Sequence, residues 1–523
     1  MNRPRETRIL IVGSGVAGGL LAERLLERKL GPVTMLEAGP DVKMRDRRVW
    51  LDQVMAHRLP YDHLGDLEKD FEAQGVQGWN IQGGRLFARG GSTLHWGGWC
   101  PRMKPEDFEL NSRIGEGGLD WPFGYEDLEP YYARAEHYLQ VAGDSSDRDP
   151  PRKEPYPMEA PPFTNIDGKV IAAFEKLGIS YGHIPLARNA RAINGMPACM
   201  TTGTCGYCPI GGRFTGDQPL DRAANHDTFN LLLGAPVTQI LMDGKKRVCG
   251  VRYLELATGK TRRMEAETVI LCAGALETPK LLLASASRHW PDGIGNAFDQ
   301  VGRYLIANPY FYARGSKPQN PERLQEEVYF ATIGSRHWDT PAYQRQGKFF
   351  LNKAESPDLK PAGLMSEGMS HEEMTTAAIG YQVLELQGTM QTFAHARNRV
   401  TLAGGTTRFG LPRTMIDTPI EAISNDRKEG NLQRMCLILE TMGYQPLPGG
   451  EGQGVYPQRG DHAMGTCRMS QSPETGVVDA SLKVHGIDNL FIFSNAVFPS
   501  GTPANPTLTL AALGFRFSDT FGR

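Results

Sequence analysis

Residues 8–37 constrain the fold more tightly than any other stretch of this chain. Arg8-Ile-Leu-Ile-Val12 is a short apolar run that reads as a strand buried on both faces. Gly13-Ser-Gly15-Val-Ala-Gly18 follows, then the helical Leu20-Leu21-Ala-Glu-Arg-Leu25-Leu26, then a second strand, Val33-Thr-Met-Leu36, ending at Glu37. This is the pattern of a βαβ unit that holds a dinucleotide. Gly13 permits the tight turn, Gly15 lets a pyrophosphate approach the backbone, and Gly18 lets helix and strand pack closely. The helix N-terminus stabilises phosphate charge, and an acid about 20 residues past the turn, here Glu37, accepts hydrogen bonds from a ribose diol. The plainer alternative is a glycine turn inside an ordinary α/β core. Residues 9–22, apolar and preceded by Arg3, Arg5 and Arg8, have the outline of a signal peptide. The glycines that break the run, and the charged Glu23-Arg24 and Glu27-Arg28 after it, fit a buried strand, turn and helix better, so no export signal is expected.

A chain of 523 residues exceeds one small core and suits two interleaved domains or one two-lobed unit. Lys and Arg number 57 against 59 Asp and Glu, so no strong field points to nucleic acid or an anionic membrane. No run approaches the ~18 apolar residues of a membrane span.

A second glycine block, Arg89-Gly90-Gly91-Ser92-Thr93-Leu94-His95-Trp96-Gly97-Gly98, sets glycines beside hydroxyls and aromatics. Such a stretch can lie flat against a large planar ring while its amides bond the ring's polar edge; the alternative is a glycine-rich surface loop. Near the C-terminus, His462-Ala-Met-Gly-Thr-Cys467-Arg468-Met469 and Pro503-Ala-Asn505-Pro506 are separated by short hydrophobic runs and turn residues. An imidazole with an ordinary pKa of ~6.5 can take a proton from an alcohol, and an amide can orient the substrate. A lone histidine is more often a satisfied core residue; its pairing with Asn505 favours the functional reading.

These blocks resemble the glucose-methanol-choline (GMC) oxidoreductase family of FAD enzymes, over nearly the whole chain. The likeness extends to Asp120-Trp-Pro-Phe-Gly-Tyr-Glu-Asp-Leu-Glu-Pro-Tyr-Tyr132, Val269-Ile-Leu-Cys-Ala-Gly274-Ala-Leu-Glu-Thr-Pro279, Val301-Gly302-Arg303 and Asn308-Pro309. It implies an α/β fold in which a Rossmann-like FAD-binding domain is interleaved with a substrate domain built on an antiparallel sheet with helices. Residues 1–308 would be mainly FAD-binding, with substrate-side insertions and a cysteine loop at 195–214. Residues 309–455 would be mainly the substrate domain, and 456–523 would return to the FAD-binding domain with the catalytic pair. By the same likeness His462 is the catalytic base and Asn505 its partner. Cofactor contacts would come from Gly13, Gly15, Gly18, Glu37, Gly90, Gly91, Ser92, His95, Val237, Ala273, Asn495 and Pro506. Ser494 departs from the aspartate that many members carry there, as in the flavoprotein subunits that oxidise glucose, fructose or gluconate. Leu94, standing between Thr93 and His95, favours FAD bound without a covalent link to His95.

Cys199, Cys205 and Cys208 form a cluster, followed by Pro209. From the residues alone an Fe–S cluster, structural thiols and a zinc site all stay open, with zinc lacking a near fourth ligand. The resembling subunits carry a three-iron, four-sulfur cluster on a similar loop, which implies metal ligation by these three cysteines. They also pair with a small subunit bearing an export signal and often with a cytochrome. The expectation is therefore a sugar or glycoside dehydrogenase, periplasmic by co-export with such a partner; cytoplasmic residence, and an oxygen-using oxidase without a cluster, are the alternatives. Cys100, Cys249, Cys272, Cys436 and Cys467 read as isolated buried thiols. Between the blocks, Phe349–Leu351, Ala377–Leu386 and Asn398–Leu402 read as strands, and Asn425–Met442 as a helix with Leu432, Met435 and Leu439 on one face. Glu385 reads as a surface or structural carboxylate rather than as a brace for the catalytic pair. Residues 355–376 read as a loop near the active-site mouth or a partner contact.

Overall fold

The computed structural model describes residues 6–522 except 57–58, 77, 116–117, 201–205, 245, 319–331, 347, 356–369, 371, 373–380 and 422. Strand β1 (Glu6–Val12) and strand β2 (Val33–Leu36) flank helix α1 (Val16–Glu27). All four residues of β2 and the last four of β1 are buried, which explains their unbroken apolar sequence. The turn between β1 and α1 depends on glycine at a named contact. A Cβ on Gly18 would stand 2.0 Å from the Gly13 carbonyl oxygen, so only a hydrogen there lets α1 pack onto the turn.

β1 pairs in parallel with β2 on one side and with Lys260–Leu271 on the other. Phe229–Leu232 extends the sheet beyond β2, and Leu490–Ile492 adds in parallel to Val269–Leu271. The first half of Lys260–Leu271 instead pairs antiparallel with Arg247–Glu255, which in turn pairs with Val237–Asp243. One long strand thus ties a parallel nucleotide-type sheet to an antiparallel meander. Helix α1 packs on Asp217–Ala223 and Thr507–Thr520, so segments far apart in sequence cover the sheet.

A second sheet is antiparallel throughout. Its order is Phe349–Glu355, Tyr381–Met390, Tyr310–Pro318, with Gln445–Pro446 and Gln453–Val455 both on the outer edge of the last. Helix Asn425–Thr441 lays Met435, Ile438 and Leu439 into a core with Phe311, Leu384 and Leu386. Leu432, expected on the same face, is only partly buried there. The strand expected over Ala377–Leu386 begins at Tyr381 and runs on to Met390, while residues 377–380 lie outside the described residues. Segment 355–376 also lies outside them, apart from Glu355, Ser370 and Glu372. Glu385 is buried and accepts from Arg314 Nε (2.6 Å) and Tyr456 Oη (3.0 Å), which makes it a structural and not a surface carboxylate.

A buried charged cluster lies at the entry to strand Phe349–Glu355. Lys348, with no exposed surface, places Nζ 2.7 Å from Asp107, 3.1 Å from Glu106 and 3.2 Å from Asp339. Removing one member of a buried ion pair leaves the rest desolvated and unpaired, at about 3–5 kcal/mol. Lys348→Met is therefore expected to lower unfolding free energy by about that amount in a denaturant titration.

Candidate active site

A cavity of about 410 Å³ runs from the first glycine turn to the C-terminal pair, with Tyr310 of the second sheet in its lining. Gly13, Gly15, Glu37, Gly91, Ser92, His95, Val237, Ala273, His462, Asn495 and Asn505 all line it. Three expected cofactor contacts do not. Gly18 acts from behind, through its contact with Gly13. Gly90, at φ +98°, sits where a Cβ would stand 2.8 Å from the backbone nitrogen of Asp217, so it serves the fold of the wall. Pro506 is the buried N-cap of helix Thr507–Thr520.

The wall has the character of a dinucleotide cradle. Glu37 is buried and accepts from the backbone N–H (2.9 Å) and hydroxyl (2.7 Å) of Ser14 and from the N–H of Gly39 (2.8 Å). Burial raises its pKa, and these hydrogen bonds oppose the shift. Ser14 was not singled out by sequence; its only signal was its place between two required glycines. Gly91 (φ +61°) approaches so closely that a Cβ on it would lie 2.8 Å from Gly15 Cα, bringing the two glycine blocks together. A Cβ on Gly15 would meet no atom within 4 Å. Among the described residues, His95 Nε2, Asn495 Oδ1 and Asn505 Oδ1 are buried without a hydrogen-bond partner. Burial pushes the His95 pKa down to about 4, with the positive charge of Arg459 adding to it, so this imidazole is neutral. Open glycine turns, an anchored acid and three unpartnered polar atoms fit a long cofactor with a polar-edged ring, as FAD is. Ser494 lines the cavity too, its hydroxyl turned to the N–H of Ala496 (3.3 Å).

At the far end the amide nitrogen of Asn505 lies 3.2 Å from His462 Nε2. Tyr310, missed in the sequence, places its hydroxyl 2.9 Å from Nε2 and 3.3 Å from Nδ1 of the same ring. Burial lowers the His462 pKa, and the negative charge of Asp461 partly opposes this, so the ring is a neutral base near neutral pH. Three side chains hold the Asn505 segment. Asn308 Nδ2 donates to Ala504 O (3.1 Å), Thr389 Oγ1 to Pro503 O (2.8 Å), and Gln391 Nε2 to Gly501 O (2.9 Å). Pro503 and Pro506 have no N–H for a backbone ladder, so side-chain donors satisfy the buried carbonyls instead. Thr502 Oγ1 donates to Asp107 (3.0 Å), which ties the segment to the Lys348 cluster.

The described residues of the cysteine loop do not line the cavity but pack behind its wall. The Tyr61 hydroxyl is shared between the carbonyls of Leu94 (3.1 Å) and Gly206. Arg213 Nη2 donates to Leu94 O (2.7 Å), and Trp96 Nε1 to Phe214 O (2.8 Å). Cys199 and Cys208 are half-buried free thiols; Cys205 lies outside the described residues, and among the described residues no group of His, Cys, Asp or Glu is arranged to hold a metal. Of the isolated cysteines, Cys100, Cys272 and Cys467 are buried as expected, whereas Cys249 and Cys436 are only half-buried. The Cys249 sulfur faces Leu241 O, and the Cys436 sulfur faces Gln453 Oε1 while its side chain packs at the margin of the antiparallel-sheet core.

Comparison with known proteins agrees with this geometry. Residues 88–308 and 394–514 match the N- and C-terminal models of the GMC oxidoreductases. The large subunit of fructose dehydrogenase from Gluconobacter japonicus is 27% identical over 99% of this chain and 98% of its own length. The 6'''-hydroxyparomomycin C oxidase of Streptomyces lividus is 28% identical over 98% of this chain and 90% of its own. Among solved structures, pyridoxine 4-oxidase from Mesorbium loti shares the fold, with a TM-score of 0.66 at 21% identity, covering 98% of this chain and 99% of that one. The chain therefore belongs to the GMC oxidoreductase family, the FAD-dependent enzymes that act on CH–OH groups.

Proposed function

We propose that the protein is a dehydrogenase that oxidises a hydroxyl of a sugar or glycoside and passes the electrons to a partner through an Fe–S cluster. The observation that carries the oxidation is the meeting of His462, Asn505 and Tyr310 in the cavity that the two glycine blocks line. His462 takes the hydroxyl proton, and the Asn505 amide fixes the oxygen so that the carbinol hydrogen faces the cofactor. Bound FAD, held without a covalent link, supplies the hydride acceptor. Gly13, Gly15 and Glu37 would hold its nucleotide end, with Val237 and Ala273 beside it; Gly91, Ser92, His95 and Asn495 would face the ring. Residues 309–455 would supply the substrate side.

Electron exit rests on Cys199, Cys205 and Cys208 as ligands of a three-iron, four-sulfur cluster, which would supply a one-electron carrier. One observation supports this: the loop hangs on the Gly90–Gly98 block through Tyr61 and Arg213, beside the wall of the cofactor cavity. The relative from Gluconobacter japonicus is named a large subunit, which supports a partner subunit; we take that partner to be a small signal-bearing subunit that carries the chain to the periplasm, with a cytochrome or other acceptor receiving the electrons.

One experiment tests both halves. Protein purified anaerobically is screened with sugars and glycosides, with flavin bleaching, iron content and peroxide recorded together. Bleaching by a sugar, about three irons per chain and little peroxide are expected. The Cys208→Ser protein should keep sugar-dependent bleaching and lose the iron. Iron-free wild-type protein that makes peroxide stoichiometrically would replace the dehydrogenase reading with that of an oxidase.

A further inference from the structure

The imidazole of His462 is buried, and a proton it gains must leave through a group that touches it. Among the described residues, the side chains hydrogen-bonded to that ring are those of Asn505 and Tyr310. An amide neither takes up nor gives up a proton near neutrality, whereas a phenol hydroxyl does both in one movement. We propose that Tyr310 is the proton relay of this site, passing the substrate's proton from His462 Nε2 to the solvent side of the cavity. The inference rests on the reading of His462 as the base.

The proton count closes without any electron transfer. Nε2 gains the proton that the substrate oxygen loses. The Nε2–H bond then breaks as Tyr310 Oη gains that proton, and the tyrosine's own O–H breaks in the same movement. Its proton goes to water or to the carboxylate of Asp461, an exposed residue of the same cavity.

Three features suit Tyr310 to this task. Its backbone is fixed at the start of strand Tyr310–Pro318, paired with Thr389 and accepting from the N–H of Tyr456 at 2.9 Å. Its ring centroid stands 5.1 Å from that of His462, at 42°, which keeps the hydroxyl on the nitrogen edge of the imidazole. Burial raises its pKa well above the ordinary tyrosine value, with Asp461 adding to the shift and Arg459 opposing it. The phenol therefore keeps its hydrogen at any working pH and relays without ionising.

The test compares one chemical event with repeated turnover in the holoenzyme. In the Tyr310→Phe protein, anaerobic flavin reduction by the substrate should fall by less than about threefold, while steady-state turnover with an artificial acceptor falls by about tenfold or more, toward the lower end of what a positioned proton-transfer group contributes. Added imidazole buffer should restore that turnover. A solvent deuterium isotope effect should appear on kcat and not on flavin reduction. The Tyr310→His protein, whose ring again passes protons, should turn over without added base. Flavin reduction that drops in parallel with kcat would make Tyr310 a substrate contact and overturn the relay. So would a Tyr310→Phe kcat at the wild-type level. The wild-type enzyme gives a check independent of any variant, since a wild-type kcat that climbs with added imidazole also overturns the proposal. If no alcohol or sugar bleaches wild-type flavin, the reading of His462 fails; if one does, failure of these tests removes the relay alone.

Discussion

The His462→Ala protein is expected to stay folded and yellow while its alcohol oxidation slows by about 10²–10⁴-fold, the usual contribution of a positioned general base. The imidazole touches Asn505 and Tyr310, not the glycine turns, so its loss leaves the dinucleotide cradle intact. The pH profile gives the sign. Burial lowers the His462 pKa, and only the neutral ring accepts a proton, so the wild-type rate of flavin reduction should rise with pH about a midpoint below the ordinary ~6.5. In the variant this limb disappears. Stopped-flow flavin reduction across pH measures both effects, and wild-type rates in the variant would remove His462 from the mechanism.

The second large effect separates two glycines that look alike in sequence. Gly18→Ala drives a Cβ to within 2.0 Å of the Gly13 carbonyl oxygen, a contact with backbone that no rotamer change relieves. Overpacking of this kind costs about 1–3 kcal/mol and moves the helix off the turn, so the protein should lose both melting temperature and bound flavin. Gly15→Ala meets nothing within 4 Å, and Gly15 has an ordinary φ of −65°. That variant should fold normally yet purify without colour, because its methyl group fills space at the cavity wall. Melting curves together with the flavin-to-protein absorbance ratio distinguish the two outcomes. Equal flavin retention in both proteins would remove this turn from the cofactor site.

The nucleotide half was legible because its chemistry is local. Glycines, a short helix and an acid lie within one stretch of chain, so the motif carries its own geometry, and β2 falls on Val33–Leu36 as read. His462 and Asn505 were legible as a pair only through their surrounding motifs. Tyr310 was not, since an aromatic residue opening a strand looks like core, and its bond to His462 spans 152 residues. Gln391 and Gly501 are likewise 110 residues apart. Gly90 and Pro506, expected from the family resemblance as cofactor contacts, stand beside lining residues without lining the cavity themselves; sequence spacing does not tell a lining residue from one that shapes the lining. The half-exposed Cys249 and Cys436 show the same limit, because a thiol's neighbours in sequence say little about its neighbours in space.

The suspension of the Asn505 segment from Asn308, Thr389 and Gln391 bears on how such an enzyme changes its diet. The Asn505 amide, proposed above to orient the substrate, takes its height from three carbonyl clamps and not from the side chains that line the cavity. Those lining positions are thus free to be rewritten for a bulkier, smaller or more highly charged alcohol while the reacting atoms keep their alignment. An engineer who leaves positions 308, 389 and 391 untouched, together with His462 and Tyr310, keeps that alignment while other cavity-lining positions such as Phe409 and Leu411 are varied.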